Sequence, residues 1–174
     1  MNVQSTIAAG SATPANTNQP SGAATDLNGL DYVTITIDSQ MFGLPIQRVH
    51  DVFLPSQITI VPLAPPEIVG LLNLRGRVVT AISLRHRMKM TARDAAAGTA
   101  LMAVGIEHKG EAFALIVDAV GEVLRLGEST FEPNPVHLDA GWAAVSAGVH
   151  RLEDKLLIVL DVDAVLTFDI SAAA

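Results

Sequence analysis

Tyr32-Val33-Thr34-Ile35-Thr36-Ile37-Asp38-Ser39-Gln40-Met41-Phe42-Gly43-Leu44-Pro45 is the stretch from which the fold can be read. Val33, Ile35 and Ile37 alternate with Tyr32, Thr34, Thr36 and Asp38, the two-residue period of a strand with one buried face. Asp38-Ser39-Gln40 reads as a turn into a second strand, residues 41–45. Ile46, Val49 and Val52 then lie three apart, which predicts a short helical turn. Pro62, Pro65 and Pro66 break the chain, and Pro66 suits the start of a helix at Glu67-Ile68-Val69. Residues 71–75 and 77–84 form an apolar hairpin around Arg75-Gly76-Arg77, where Gly76 supplies the positive φ of a tight turn.

The same programme recurs. Residues 32–52 superimpose on 103–123 at an offset of 71, so Phe42-Gly43-Leu44 meets Phe113-Ala114-Leu115. Val49-His50-Asp51-Val52 likewise meets Val120-Gly121-Glu122-Val123. At an offset of 78, Gly70, Leu74 and Arg77-Val78 meet Gly148, Leu152 and Lys155-Leu156. Two blocks repeating in order indicate duplication, with pseudo-repeat halves at about 31–90 and 100–168 and a join at 91–99. The expected fold is mainly β: two small antiparallel β-barrel-like lobes with short helices. Neither lobe is long enough to bury a generous core alone, so the two should share an interface. A closing C-terminal helix is expected after residue 160, capped by Asp161 or Asp163 and carrying Val162, Val165 and Leu166 at helical spacing.

Outside the domain, 24 of residues 1–30 are Ala, Ser, Thr, Asn, Gln, Gly or Pro and only Asp26 is charged, which predicts a disordered tail. Residues 169–174 read as a short C-terminal tail. The chain has 174 residues, 49% of them hydrophobic, and a net charge of −7. That acidity argues against a uniformly basic nucleic-acid binder, and 4% aromatics leave little for base stacking. The absence of cysteine excludes disulfides, thiolate zinc sites, iron–sulfur clusters and thiol catalysis. No apolar run is long enough for a membrane span, and no basic-then-apolar start suggests a signal peptide. A cytoplasmic location is expected.

Catalytic signatures are missing: there is no G-x-S-x-G, P-loop, G-x-G-x-x-G or H-E-x-x-H. His108 with Glu111, and His150 with Glu153, are spaced i, i+3, but both pairs fall where hairpin turns are expected. Asp161 and Asp163 read as a helix cap rather than a cation site, and His50, His86 and His137 have no evident partner. No cofactor or metal is expected. Charge is more informative. Residues 1–93 hold seven basic and five acidic side chains; residues 94–174 hold four and thirteen. Six of the eleven basic residues lie between Arg75 and Arg93, either as a solvated hairpin end and strand edge or as a dock for an acidic protein surface.

Phe42-Gly43-Leu44-Pro45-Ile46, Val49-His50-Asp51-Val52 and Pro66-Glu67-Ile68-Val69-Gly70-Leu71-Leu72-Asn73-Leu74-Arg75-Gly76-Arg77-Val78-Val79 together resemble CheW, the chemotaxis coupling family. Asn73-Leu74-Arg75-Gly76 is the most specific element, and Phe131-Glu132-Pro133-Asn134-Pro135 and Lys155-Leu156-Leu157-Ile158-Val159-Leu160-Asp161 match later segments. The likeness spans about residues 31–168. It implies two five-stranded lobes and a non-enzymatic adaptor joining methyl-accepting chemoreceptor cytoplasmic tips to the regulatory domain of a chemotaxis histidine kinase. It also implies recruitment to membrane-associated receptor arrays, beside other adaptors. The same domain occurs inside that kinase and fused to receiver domains; this chain has no room for those modules, so the stand-alone adaptor is favoured. In the family the receptor tip docks between the lobes. By motif, the positions facing it are Val49, Asp51 and Arg75, with Val120 and Glu122 added through the repeat. Val49 and Val120 also read as core, Asp51 and Glu122 as solvated charges, and Asn73 and Gly76 as turn-makers. Ser83 stands where the family usually has an acidic residue, whereas the second half keeps Asp161. Two other readings remain at this level: a small-molecule sensor with a cavity between the lobes, or a β-barrel nucleic-acid binder using the 75–93 cluster.

Overall fold

The computed structural model describes residues 28–91, 98 and 100–167. The expected N-terminal tail, the join and the C-terminal tail lie almost wholly outside the described residues. The first half runs β1 (Leu30–Ile37), β2 (Gln40–Pro45), a 3-10 turn (Ile46–Arg48), β3 (Val49–Phe53), β4 (Ile68–Leu74), β5 (Arg77–Ser83) and α1 (Leu84–Arg87). The second runs β6 (Met102–His108), β7 (Glu111–Val117), β8 (Ala119–Leu126), a 3-10 turn (Glu128–Thr130), β9 (Phe131–Glu132), α2 (Ala140–Ala143), β10 (Ser146–Arg151), β11 (Leu156–Leu160) and α3 (Val162–Leu166). The mainly β, two-lobed architecture is as expected.

The helical turn predicted over residues 46–52 stops at Arg48, and the rest is β3. The helix predicted from Glu67 is strand β4 instead. Its β-branched and leucine-rich run pairs with β5, and tertiary pairing overrides the proline signal. Around the β4–β5 turn both central residues are left-handed, Arg75 at φ 53° and Gly76 at φ 84°, as the twist of a two-residue hairpin requires. Asn73 Oδ1 accepts from the Gly76 N–H at 2.8 Å and braces that turn.

One sheet has the order β8-β1-β2-β11-β10-β9 and the other β3-β6-β7-β5-β4. Each lobe therefore takes its leading hairpin from one half of the sequence and its trailing strands from the other. The repeat explains the exchange: replacing β1, β2, β3, β4 and β5 by β6, β7, β8, β10 and β11 turns one order into the other. The strands are antiparallel except for one parallel pair where the halves meet in each sheet, β2 with β11 and β5 with β7. Even β9 has a counterpart, the single bridge between Thr59 and Leu71 on the edge of β4.

The main core lies between the sheets, built from Ile35, Ile37, Phe42 and Leu44 on one side and Ile82, Val104, Ile106 and Leu115 on the other, with Leu84 and Val165 from α1 and α3. Most of these side chains are fully buried, each contributing about 1.5–3 kcal/mol. Inside the second lobe a smaller core holds Leu72, Val79, Ala81, Ala103, Ala114 and Ile116. The matching positions of the first lobe carry Tyr32, His150, Leu157 and Val159, all buried.

Candidate functional site

Asp51 and Arg75 come together. Asp51 lies on β3, the edge strand of the second sheet, and Arg75 at the β4–β5 turn. One Asp51 carboxylate oxygen accepts from the Val52 N–H at 2.9 Å, and the other meets the Arg75 guanidinium at 3.0 Å. Asp51 is about one quarter exposed, whereas the Arg75 side chain is 81% exposed, so its donors remain open to a partner. The pair borders a cleft of 350 Å³ with His50, Arg77, Glu107 and Phe113 on its wall. Val49 and Val120 are half-buried against the shared core, which supports their apolar packing role. Glu122 is exposed on β8, the edge strand of the other sheet, and its backbone carbonyl accepts from Thr34 Oγ1 at 2.7 Å.

The basic cluster does not form one face. Arg75 and Arg77 are exposed at the hairpin, but Arg85 is buried. Arg85 forks onto both Asp38 oxygens at 2.7 and 3.0 Å, reaches Asp118 at 2.6 Å, and donates to the Thr91 carbonyl at 3.0 Å. Asp38, first among its neighbours, holds the Arg85 pKa above its ordinary value. Arg87 donates to the carbonyls of Ala164, Val165 and Thr167, which closes the end of α3. Arg93 lies outside the described residues.

The repeat position of Arg85 is Asp163, and there the charge is reversed. Asp163 Oδ1 accepts from Arg48 at 2.9 Å and lies 3.0 Å from His108 Nδ1, and Arg48 above all lowers the Asp163 pKa. Both networks join the two lobes: α1 follows a strand of the second sheet and its Arg85 holds the β1–β2 turn, while α3 follows a strand of the first and its Asp163 holds the end of β6. Ser83 and Asp161 are both N-caps. The Ser83 hydroxyl accepts from the His86 N–H, and the Asp161 carboxylate from the Asp163 and Ala164 N–H groups. Serine thus keeps the capping role that Asp161 performs at the repeat position.

His108 and Glu111 flank the β6–β7 turn as strand partners. His150, expected in a turn, is instead buried within β10 at 1% exposure. Its strand pairs on both sides, which the polar character of histidine hid in the sequence. Among the described residues no cluster of three or more His, Asp or Glu could hold a metal ion, and no helix is long and apolar enough to cross a membrane.

Sequence reasoning missed two apolar tips. Leu63 is 90% exposed and Val136 96%, each following a proline. Aligned through the Thr59–Leu71 and Glu132–Val149 bridges, they occupy equivalent places, one in each lobe. Leu54 and Ile60 widen the first patch. The signal was available: residues 54–66 contain four prolines and no charge. Exposed aliphatic tips of this kind are suited to burial by a partner.

A family profile described as CheW-like domain matches residues 31–169. The chain is 26% identical to the chemotaxis protein CheW of Helicobacter pylori over 80% of its length and 83% of that protein. It is 23% identical to the chemotaxis protein CheW of Rhizobium meliloti, covering 84% and 93% of the two chains. Among solved structures, the scaffolding protein TtCheW from Thermoanaerobacter tengcongensis superimposes with a TM-score of 0.71 at 29% identity, over 81% of this chain and 94% of the other.

Proposed function

The chain belongs to the CheW-like family of chemotaxis scaffold proteins, and from that premise we propose that it couples the cytoplasmic tip of a chemoreceptor to the regulatory domain of a chemotaxis histidine kinase. The family is a scaffold family and not a known enzyme family. The observation that carries the reading is the extent of the match: residues 31–169 take in the strands of both sheets, Leu30 at the start of β1 excepted, and not one lobe. A coupling protein has to hold two partners in a fixed relation. Two lobes sharing one core, each with an apolar tip, meet that requirement.

Arg75 is the proposed centre of the receptor contact. Its guanidinium stands clear of the surface on a braced turn, able to make several directed bonds to a partner's backbone or carboxylates. Asp51 orients it, and Val49, Val120 and Glu122 complete the proposed docking residues. The site of action on this reading is the cytoplasmic face of receptor arrays, with other adaptors as neighbours. Co-purification from the same cell tests it. The tagged chain should retain both a receptor and a chemotaxis kinase; recovery of neither under conditions that retain folded protein would refute the proposal.

A further inference from the structure

His150 occupies the position that the internal repeat fills with Leu72. Leu72 faces Val79 across β4 and β5, and His150 faces Leu157 across β10 and β11. The lobe interior therefore accepts a leucine at this point, and folding does not explain the histidine. Its proton can be located. Thr130 Oγ1 lies 3.1 Å from the Gly127 carbonyl and 2.9 Å from His150 Nδ1; with the hydroxyl proton given to Gly127, Oγ1 accepts from Nδ1, and this assignment places the imidazole hydrogen there. Nε2 is then bare, and it is buried with no hydrogen-bond partner among the described residues.

The surroundings offer a charged ring no ionised partner among the described residues. The rings of Tyr32 and Phe131 stand 5.3 Å away, tilted at 61° and 62°. From β1 the titratable group against the ring is the Tyr32 phenol, whose pKa burial raises, while Asp31 pairs with Arg125. From β11 comes Leu157. On β9 Glu132 is turned to the surface and paired with Arg151 at 3.1 Å, and Glu128 in the preceding turn is exposed. A charged imidazole can gain solvation only by admitting water. The weakest wall is β9, which holds β10 through two residue pairs and whose Phe131 is 42% exposed.

We propose that His150 is an acid-sensitive clasp: protonation at Nε2 lifts residues 130–132 from β10 and loosens the segment that carries the Val136 tip. Burial, against a partial opposing effect of a Thr130 backbone hydrogen bond, sets the His150 pKa below its ordinary 6.5 in the closed form. The open form binds the proton more readily, so the clasp is fully closed above that ordinary value. It is lost progressively as pH falls from there through the depressed value.

Amide hydrogen exchange, corrected for the intrinsic pH dependence of the chemistry, tests the clasp on the full chain without any receptor or kinase, so its failure is distinct from failure of the coupling role. Between pH 7.5 and 5, protection of residues 130–132 should fall severalfold, while the equivalent strap at residues 58–59, over Leu72, stays unchanged. His150→Leu should abolish the difference. Equal pH dependence in the leucine variant, or at both straps, overturns the proposal. Should His150→Leu fail to fold, nitrogen NMR of the wild-type chain decides. A neutral His150 protonated at Nδ1 is expected at pH 7.5, and a proton found on Nε2 contradicts the clasp.

Discussion

Replacing Arg75 with glutamate separates a partner contact from a structural one, because the side chain contributes so little to the fold. Glutamate meets the same left-handed backbone at φ 53° as arginine does, so the turn itself is no more strained. What the domain loses is one ion pair to Asp51, 3.0 Å long with its guanidinium 81% exposed. Losing such an exposed pair and setting a like charge beside Asp51 each cost less than about 1 kcal/mol, so the melting temperature should fall by under about 8 °C. At a desolvated receptor contact the same reversal should cost about 2–5 kcal/mol, roughly 30- to several-thousand-fold in affinity. The assay is titration of a receptor cytoplasmic fragment, with circular dichroism melts alongside. The double reversal Asp51→Arg with Arg75→Glu adds a control that rebuilds the internal pair with its signs exchanged. If affinity stays low in the double variant, the receptor reads these charges directly; if it returns, the pair serves only local geometry. Unchanged affinity in Arg75→Glu with a normal melt would refute its place in the receptor site.

Two further outcomes concern stability. Arg85→Met should remove the charge-assisted hydrogen bonds that tie α1 to the β1–β2 turn, a loss of about 1.5–3 kcal/mol read as a melting drop of roughly 3–12 °C. Ser83→Ala should remove the α1 cap at about 1 kcal/mol in a denaturant titration, and Ser83→Asp should keep it, since Asp161 performs the same task on α3.

The alternation at Val33, Ile35 and Ile37 and the repeat offsets carried most of the fold, because strand period and duplication are local facts of sequence. The exchange of hairpins between sheets was not legible. It depends on the parallel pairs β2 with β11 and β5 with β7, whose partners are far apart in the chain and carry no local mark. Glu67-Ile68-Val69 misled because a proline before a charged residue opens helices and strands alike. At the site, the resemblance singled out Asp51 and Arg75 separately, and the structure brings them within an ion pair. Charge counting failed for the 75–93 cluster: it cannot distinguish Arg75, which is exposed, from Arg85, which is buried between two carboxylates. His150 was hidden for the same reason, since nothing local reveals that a polar residue sits where its repeat partner is Leu72.

The central claim is bridging, and bridging is a property of three components measured together. A receptor cytoplasmic fragment and the regulatory domain of a chemotaxis kinase, each below its own threshold for association, should elute as one complex in size-exclusion light scattering only when this chain is added. Arg75→Glu should remove the receptor from that complex while the kinase domain stays bound. Binding of either partner excluding the other, or no complex with a folded chain at concentrations that saturate each pair, would contradict the account.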